Sequence, residues 1–217
     1  GRKIGMEKYY KKIRKCSVKG ALISILLMFI GAFLMYDFIA GKNMYNKDKY
    51  LAIGLGAFML LIGIIWFISC LIGVRSIKKE MAKTGLDESL LSEDLDSGSD
   101  YKYCNVGRQY AIHCDGSYDL IFLDNALIVY KEVVSHTKKG VTSYSYYVKV
   151  VERDGESKQL SAKDENEMNA IFSDITGTRP YVLTQMDKTT RQLIKQNLPE
   201  IIKTVDERKC QYESGIA

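Results

Sequence analysis

Two stretches without a charged side chain constrain this chain more than any other feature. Residues 20–36 carry no charge and are dominated by Ile, Leu, Met and Phe. As a helix they rise about 25 Å, slightly less than the ~30 Å hydrocarbon core of a bilayer. Phe38, Ile39 and Ala40 continue the stretch past Asp37, which is expected at the far interface where water reaches it. The second stretch holds 25 uncharged residues between Lys49 and Arg75 and is long enough to tilt. A polar turn at 42–49 joins them. The pattern predicts two transmembrane helices, over 20–40 and 51–74, forming a hairpin at 20–74. A cleaved signal peptide fits less well, because the first stretch is too long, no Ala-x-Ala site follows it and a second span comes soon after.

Orientation follows from the cations at the span ends. Arg2, Lys3, Lys8, Lys11, Lys12, Arg14, Lys15 and Lys19 precede the first stretch; Arg75, Lys78, Lys79 and Lys83 follow the second. The connecting loop has only Lys42, Lys47 and Lys49. The expectation is a multi-pass protein of the plasma membrane with both termini cytoplasmic, residues 1–19 forming a basic N-terminus. Tyr9 and Tyr10 suit the inner interface; Tyr36, Tyr45 and Tyr50 suit the outer one. Gly20/Ser24 and Ala52/Gly56 are small residues four apart, a spacing that serves a homo-oligomer through the transmembrane helices or packing within the hairpin.

Charge divides the chain further. Residues 84–100 carry six acids and no base, while residues 101–217 carry 16 of each sign. Residues 75–100 therefore read as a juxtamembrane helix, stopped at Thr84-Gly85, followed by a solvated acidic spacer with a weak Leu86, Leu90, Leu91, Leu95 stripe. The balanced charge of the remainder gives no basic face for nucleic acid. Five cysteines in no framework spacing read as reduced thiols.

From residue 101 the period changes to that of strands. Tyr110 to Cys114, then Asp115-Gly116, then Ser117 to Leu123 predicts a hairpin with a two-residue turn. A β-rich run follows from Ala126 to Val134. After the turn at 136–140, Tyr144, Tyr146, Val148 and Val150 share one face of the next strand. Arg153-Asp154-Gly155-Glu156 turns into a run at 157–162. Ser161 to Asp164 fits a capping box, and Met168, Ile171, Phe172 and Ile175 give the following helix one apolar face, ended by Gly177. From Asp187 an apolar stripe runs to Val205, with Pro199 expected to kink or divide that helix. The fold class expected is a membrane α-hairpin of two transmembrane helices plus a small α+β soluble domain at 101–217: an antiparallel meander of about five strands followed by helices.

Leu123-Asp124-Asn125-Ala126-Leu127-Ile128-Val129-Tyr130, the Asp154-Gly155 hairpin, Arg179-Pro180-Tyr181 and Val205-Asp206-Glu207-Arg208 resemble uncharacterised bacterial two-transmembrane-helix proteins with a cytoplasmic pleckstrin-homology-like domain. The resemblance implies a fold and a topology; it carries over no functional residue. The extended piece and the helices after the first helix depart from a simple pleckstrin-homology pattern, which ends in one helix.

Catalytic constellations are lacking in the sequence. There is no Gly-x-Ser-x-Gly elbow, no phosphate-binding glycine loop and no Cys-x-x-Cys or His-Glu-x-x-His spacing. His113 and Cys114 are adjacent and point to opposite faces of a strand, which reads as a surface His and an inward Cys. No cofactor and no metal are expected, and an enzyme is the least favoured reading. The expected function is a membrane-anchored, non-enzymatic interaction, scaffold or sensor domain that binds the lipid bilayer through its hairpin and a protein partner through its soluble part. Alternatives are a lipid head-group-binding module, or a small oligomeric channel or transporter subunit. Candidate contact residues are Tyr147, on the opposite face from Tyr144 and Tyr146, and Lys138 and Lys139 on a hairpin turn.

Overall fold

The computed structural model describes residues 5–40, 46–115, 118–138 and 140–215. It divides into two compact units, one of residues 8–78 and one of residues 1–7 with 79–217.

The first unit is a pair of long helices. Helix α1 spans Gly5–Ala40 and α2 spans Asn46–Thr84. The basic N-terminal segment and the first apolar stretch are thus one continuous helix. Among the described residues one helix, Met6–Tyr36, is long and apolar enough to cross a membrane; Ile53–Ile65 in α2 is a shorter apolar stretch. The side chains of Asp37 and Ala52 lie outside the described residues. The helices approach closely where side chains are small. A Cβ on Gly31 would stand 2.8 Å from the Gly56 carbonyl oxygen, and one on Gly63 would stand 2.7 Å from Met28 Cγ and 3.1 Å from the Ser24 oxygen. Ser24 is fully buried and its hydroxyl donates to the Gly20 carbonyl at 2.8 Å. Ser24/Gly31 and Gly56/Gly63 are both seven apart, the repeat that keeps two helices in register. Ser24 and Gly56 therefore pack within the pair. Tyr9 and Tyr10, expected at an interface, are buried, with Lys78 Nζ 4.9 Å from the Tyr10 ring centre.

In the second unit α2 ends at Thr84. Gly85 takes φ +67°, and the Leu86 amide donates back to the Met81 carbonyl, closing the helix as a left-handed cap does. The expected acidic spacer is instead ordered. Asp87 caps helix α3, Glu88–Asp96, by accepting from the Ser89 amide, and Leu91 and Leu95 are buried. Asp94 fixes it in place. Its carboxylate accepts from the backbone amides of Arg108 (3.1 Å), Gln109 (3.0 Å) and Tyr110 (3.0 Å). A Cβ on Gly107 would lie 2.1 Å from Asp94 Oδ2, so only glycine lets the loop reach the acid.

Among the described residues seven strands follow, rather than about five, and they form two sheets. Strands β1 (Ser99–Asp100), β2 (Cys104–Val106), β3 (Tyr110–His113) and β4 (Leu120–Phe122) make one antiparallel sheet in sequence order. Strands β5 (Ala126–Lys138), β6 (Val141–Glu152) and β7 (Ser157–Ala162) make the other. A 3-10 turn at Leu123–Asn125 carries the chain between sheets. The link from β3 to β4 runs from Cys114 to Asp119, longer than the two-residue turn expected; Gly116 and Ser117 lie outside the described residues.

Helix α4, Glu165–Gly177, puts Met168, Ile171 and Ile175 into a core shared with Val106, Ile121, Val129, Val148 and Leu160 from both sheets. Its cap is Asp164, three residues later than expected because β7 continues through Ala162. Asp164 accepts from the Glu167 amide, and the Glu167 carboxylate accepts from the Lys163 amide. Leu183 then bonds both ways to β5, its amide to Leu127 and its carbonyl to Val129. Helices α5 (Lys188–Gln196) and α6 (Leu198–Glu213) are separated at Asn197, with Pro199 in the first turn of α6. Ile201 and Val205 of α6 cover Leu127, Ile128 and Val151. The region is an α+β fold with antiparallel strands.

Replacing Asp94 with Ala leaves three amides without their acceptor, a cost of about 2 kcal/mol. Hydrogen exchange on the full chain in detergent should show the 108–110 amides exchanging about 30-fold faster in Asp94→Ala, with those of α4 unchanged.

Candidate functional site

The long β5–β6 ribbon outruns its neighbour. Strand β6 pairs with β5 along its whole length, from Val141/Lys138 to Glu152/Ala126, but with β7 only from Tyr146 to Val151. The distal ribbon is therefore two-stranded, with apolar side chains on its surface. Val133 is 49 %, Tyr144 56 % and Val141 71 % exposed. Paired residues share a face, so Val133/Tyr146 and Ser135/Tyr144 continue outward the face that Val129, Val148 and Val150 bury in the core. The rings of Tyr144 and Tyr146 lie 6.5 Å apart and tilted by 40°. On the other face His136 and Ser145 hydrogen-bond at 3.2 Å.

Where β7 stops, a cleft of about 210 Å³ opens between Tyr144–Tyr147 of β6, Ser161 to Lys163, and Tyr103 with Asp115 from the first sheet. Behind it His113 is fully buried rather than on the surface. Its Nε2 lies 2.9 Å from Ser161 Oγ, tying β3 to β7 across the core. Glu152 and Lys158 make a parallel tie. They pair at 2.5 Å while Glu152 accepts from the Phe122 amide and Lys158 donates to the Leu120 carbonyl. A further concavity, about 550 Å³, is an open groove along α6 beside Ile202, Asp206 and Cys210. Among the described residues no three His, Cys, Asp or Glu side chains gather as a metal site.

Of the residues singled out from sequence, Tyr147 lines the cleft, half-buried, with Lys149 Nζ 5.8 Å from its ring centre. Lys138 closes the ribbon, exposed; Lys139 lies outside the described residues. Tyr144, expected to pack with Tyr146 as half core and half cross-strand contact, is instead exposed, and Val133 and Val141 were not singled out. Period two assigns their faces but does not reveal that β7 ends opposite Tyr146.

A chain of this kind, a long apolar helix pair continuing into an α+β domain of two antiparallel sheets closed by a helix, defines its class by architecture before chemistry. Residues 73–194, more than half of the chain, match the family described as Domain of unknown function (DUF6709), and the chain belongs to that family. Residues 42–80, spanning much of α2, are similar to the epigen C-terminal domain. No curated protein matches, and neither does any solved structure.

Two outcomes follow. Removing one member of the buried His113/Ser161 pair takes this hydrogen bond from the other, so Ser161→Ala and His113→Leu should each destabilise by about 1–3 kcal/mol, while the double variant should cost clearly less than their sum; thermal melts of the four proteins measure this. The second concerns acid. Asp206 is held below the ordinary carboxylate value of 3.8 by its hydrogen bond from Arg153, and Asp164 by the Glu167 amide at its helix start. A lowered folded value means stability that is complete above pH 3.8 and lost as pH falls further. Asp206→Asn should flatten that acid limb of a stability-pH curve and leave neutral-to-basic pH dependence unchanged.

Proposed function

We propose that this protein is a membrane-anchored interaction module: a two-span hairpin holds a pleckstrin-homology-like domain at the cytoplasmic face of the plasma membrane, and that domain docks a protein partner on its β5–β6 ribbon and adjoining cleft. The hairpin reading draws on the outward residues of α2, where Leu51, Leu55, Phe58, Leu61 and Ile65 are exposed as Leu22, Leu26, Phe29 and Phe33 are on α1. Lipid is the medium that removes such surface from water. The flanking cations favour both termini inside. The pleckstrin-homology-like reading draws on a four-stranded and a three-stranded antiparallel sheet closed by α4.

The carrying observation is the exposed apolar ribbon. Val133, Val141 and Tyr144 are exposed on a hairpin whose β5–β6 pairing already runs unbroken from Ile128/Val151 to Lys138/Val141. Aromatic and aliphatic anchors beside a polar cleft are what protein interfaces use. Lys138 next to Val141 at the ribbon tip favours the second reading, a contact with anionic head groups.

A photo-cross-linking residue at Tyr144 in the full chain, in its native membrane, should give a discrete protein adduct. The same residue at Tyr212, exposed on α6, should not, and Val133→Asp should abolish the adduct. Equal adducts at both positions, or none, would overturn the docking surface; an adduct with lipid alone would assign the ribbon to the bilayer.

A further inference from the structure

We propose that the edge of β6 left open beyond Ala162 accepts an extended, acidic segment of a protein partner as an added β-strand; this deepens, and rests on, the reading of the ribbon as a docking surface.

Backbone geometry leads to it. Lys138 and Val141 close a two-residue hairpin, and in such a hairpin the closing pair exchanges both ladder bonds. Alternation then turns the amides and carbonyls of Val141, Ser143 and Ser145 toward β5. Those of Thr142 and Tyr144 turn outward, into the line that β7 occupies from Tyr146 onward. Beyond Ala162 the chain leaves that line for the α4 cap at Asp164, and the cleft of about 210 Å³ opens there. Two outward donors and two outward acceptors therefore lie along the open edge, those of Tyr144 on the lining of the cleft.

The side chains specify the occupant. An added strand alternates its faces, so every second residue meets Tyr144 and Tyr146, and the others meet Ser143 and Ser145. Apolar and polar residues should alternate in it. Charge decides between a partner and a second copy. Residues 133–151 contain Lys138, Lys139 and Lys149 and no acid; Lys149 faces Glu132 at 3.5 Å. Lysine at an open edge is a device that discourages like edges from pairing. Two ribbons side by side bring cations together, whereas a strand carrying carboxylates is drawn to the tip. Among the described residues Asp115 is the acid that lines the cleft, while Lys163, also on its lining, pairs with Asp164 at 3.6 Å.

The test presents the full chain, in nanodiscs of neutral phosphatidylcholine, to a displayed library of random extended peptides. Enriched peptides should alternate apolar and polar residues and carry Asp or Glu. In the best of them, N-methylation of the backbone amides facing Thr142 and Tyr144 should weaken binding about ten-fold or more, and methylation of the intervening amides about two-fold or less. Thr142→Pro removes an outward donor without touching the β5 ladder and should weaken binding comparably. Peptides that bind at the ribbon but tolerate methylation at both sets would overturn strand addition and leave the docking surface standing. Absence of enrichment would overturn strand addition, and with no adduct at Tyr144 the docking surface falls too. Binding of phosphatidylserine vesicles in place of peptides, or a spontaneous Ser143→Cys disulfide between two copies, would give the edge to a membrane or to a second copy and overturn the proposal.

Discussion

A helix that turns Leu22, Ile23, Leu26, Phe29, Ile30 and Phe33 outward has no low-energy place in water. Transferring side chains of this size out of water yields about 1.5–3 kcal/mol each. Six of them together are of the same order as the net stability of an ordinary domain, about 5–15 kcal/mol. The apolar face of α1 thus governs where the whole chain resides, and the close approach of Gly31 to Gly56 and of Ser24 to Gly63 gives that helix a partner without using its outward side chains.

Between anchor and sheets, the order of the chain rests on backbone capture by one carboxylate. Asp94 gathers three successive amides of the Arg108–Tyr110 turn, and Gly107 provides the room. From the far side Arg179, almost fully buried, donates to the Arg108 carbonyl and reaches Asp124 at 2.6 Å. The turn is therefore held through its amides by α3 and through a carbonyl by the segment after α4. Glu152/Lys158 and His113/Ser161 add polar ties between the sheets, which is where short strands of three or four residues need them.

The sequence was legible where one period persists long enough. Two uncharged stretches mark the long helices, Tyr144 to Val150 mark one face of β6, and Pro199 marks the division of the last helices, which falls two residues before it at Asn197. Short elements were not legible. Strands β1 and β2 have two and three residues, too few for an alternation of period two to repeat twice, so about five strands were expected in place of the seven described. The run of six acids looks like a spacer because the amides that need Asp94 lie 14 to 16 residues away and leave no side-chain signature. Gly98 and Gly107 were the available hint, since each stands where a Cβ would strike its neighbour. His113 was expected at the surface because its partner, Ser161, is 48 residues distant. Tyr147 and Lys138 were placed on the right strand pair, while the exposure of Tyr144 depended on where β7 ends.

The direct measurement is extraction of cell membranes with alkaline carbonate. Carbonate strips proteins held by charge or by other proteins, and leaves those whose apolar helices lie in lipid. The account predicts that the full chain stays in the membrane pellet and is released only by detergent. Recovery of the chain in the carbonate supernatant would contradict it, and with it the tethered docking edge that the rest of the argument builds upon.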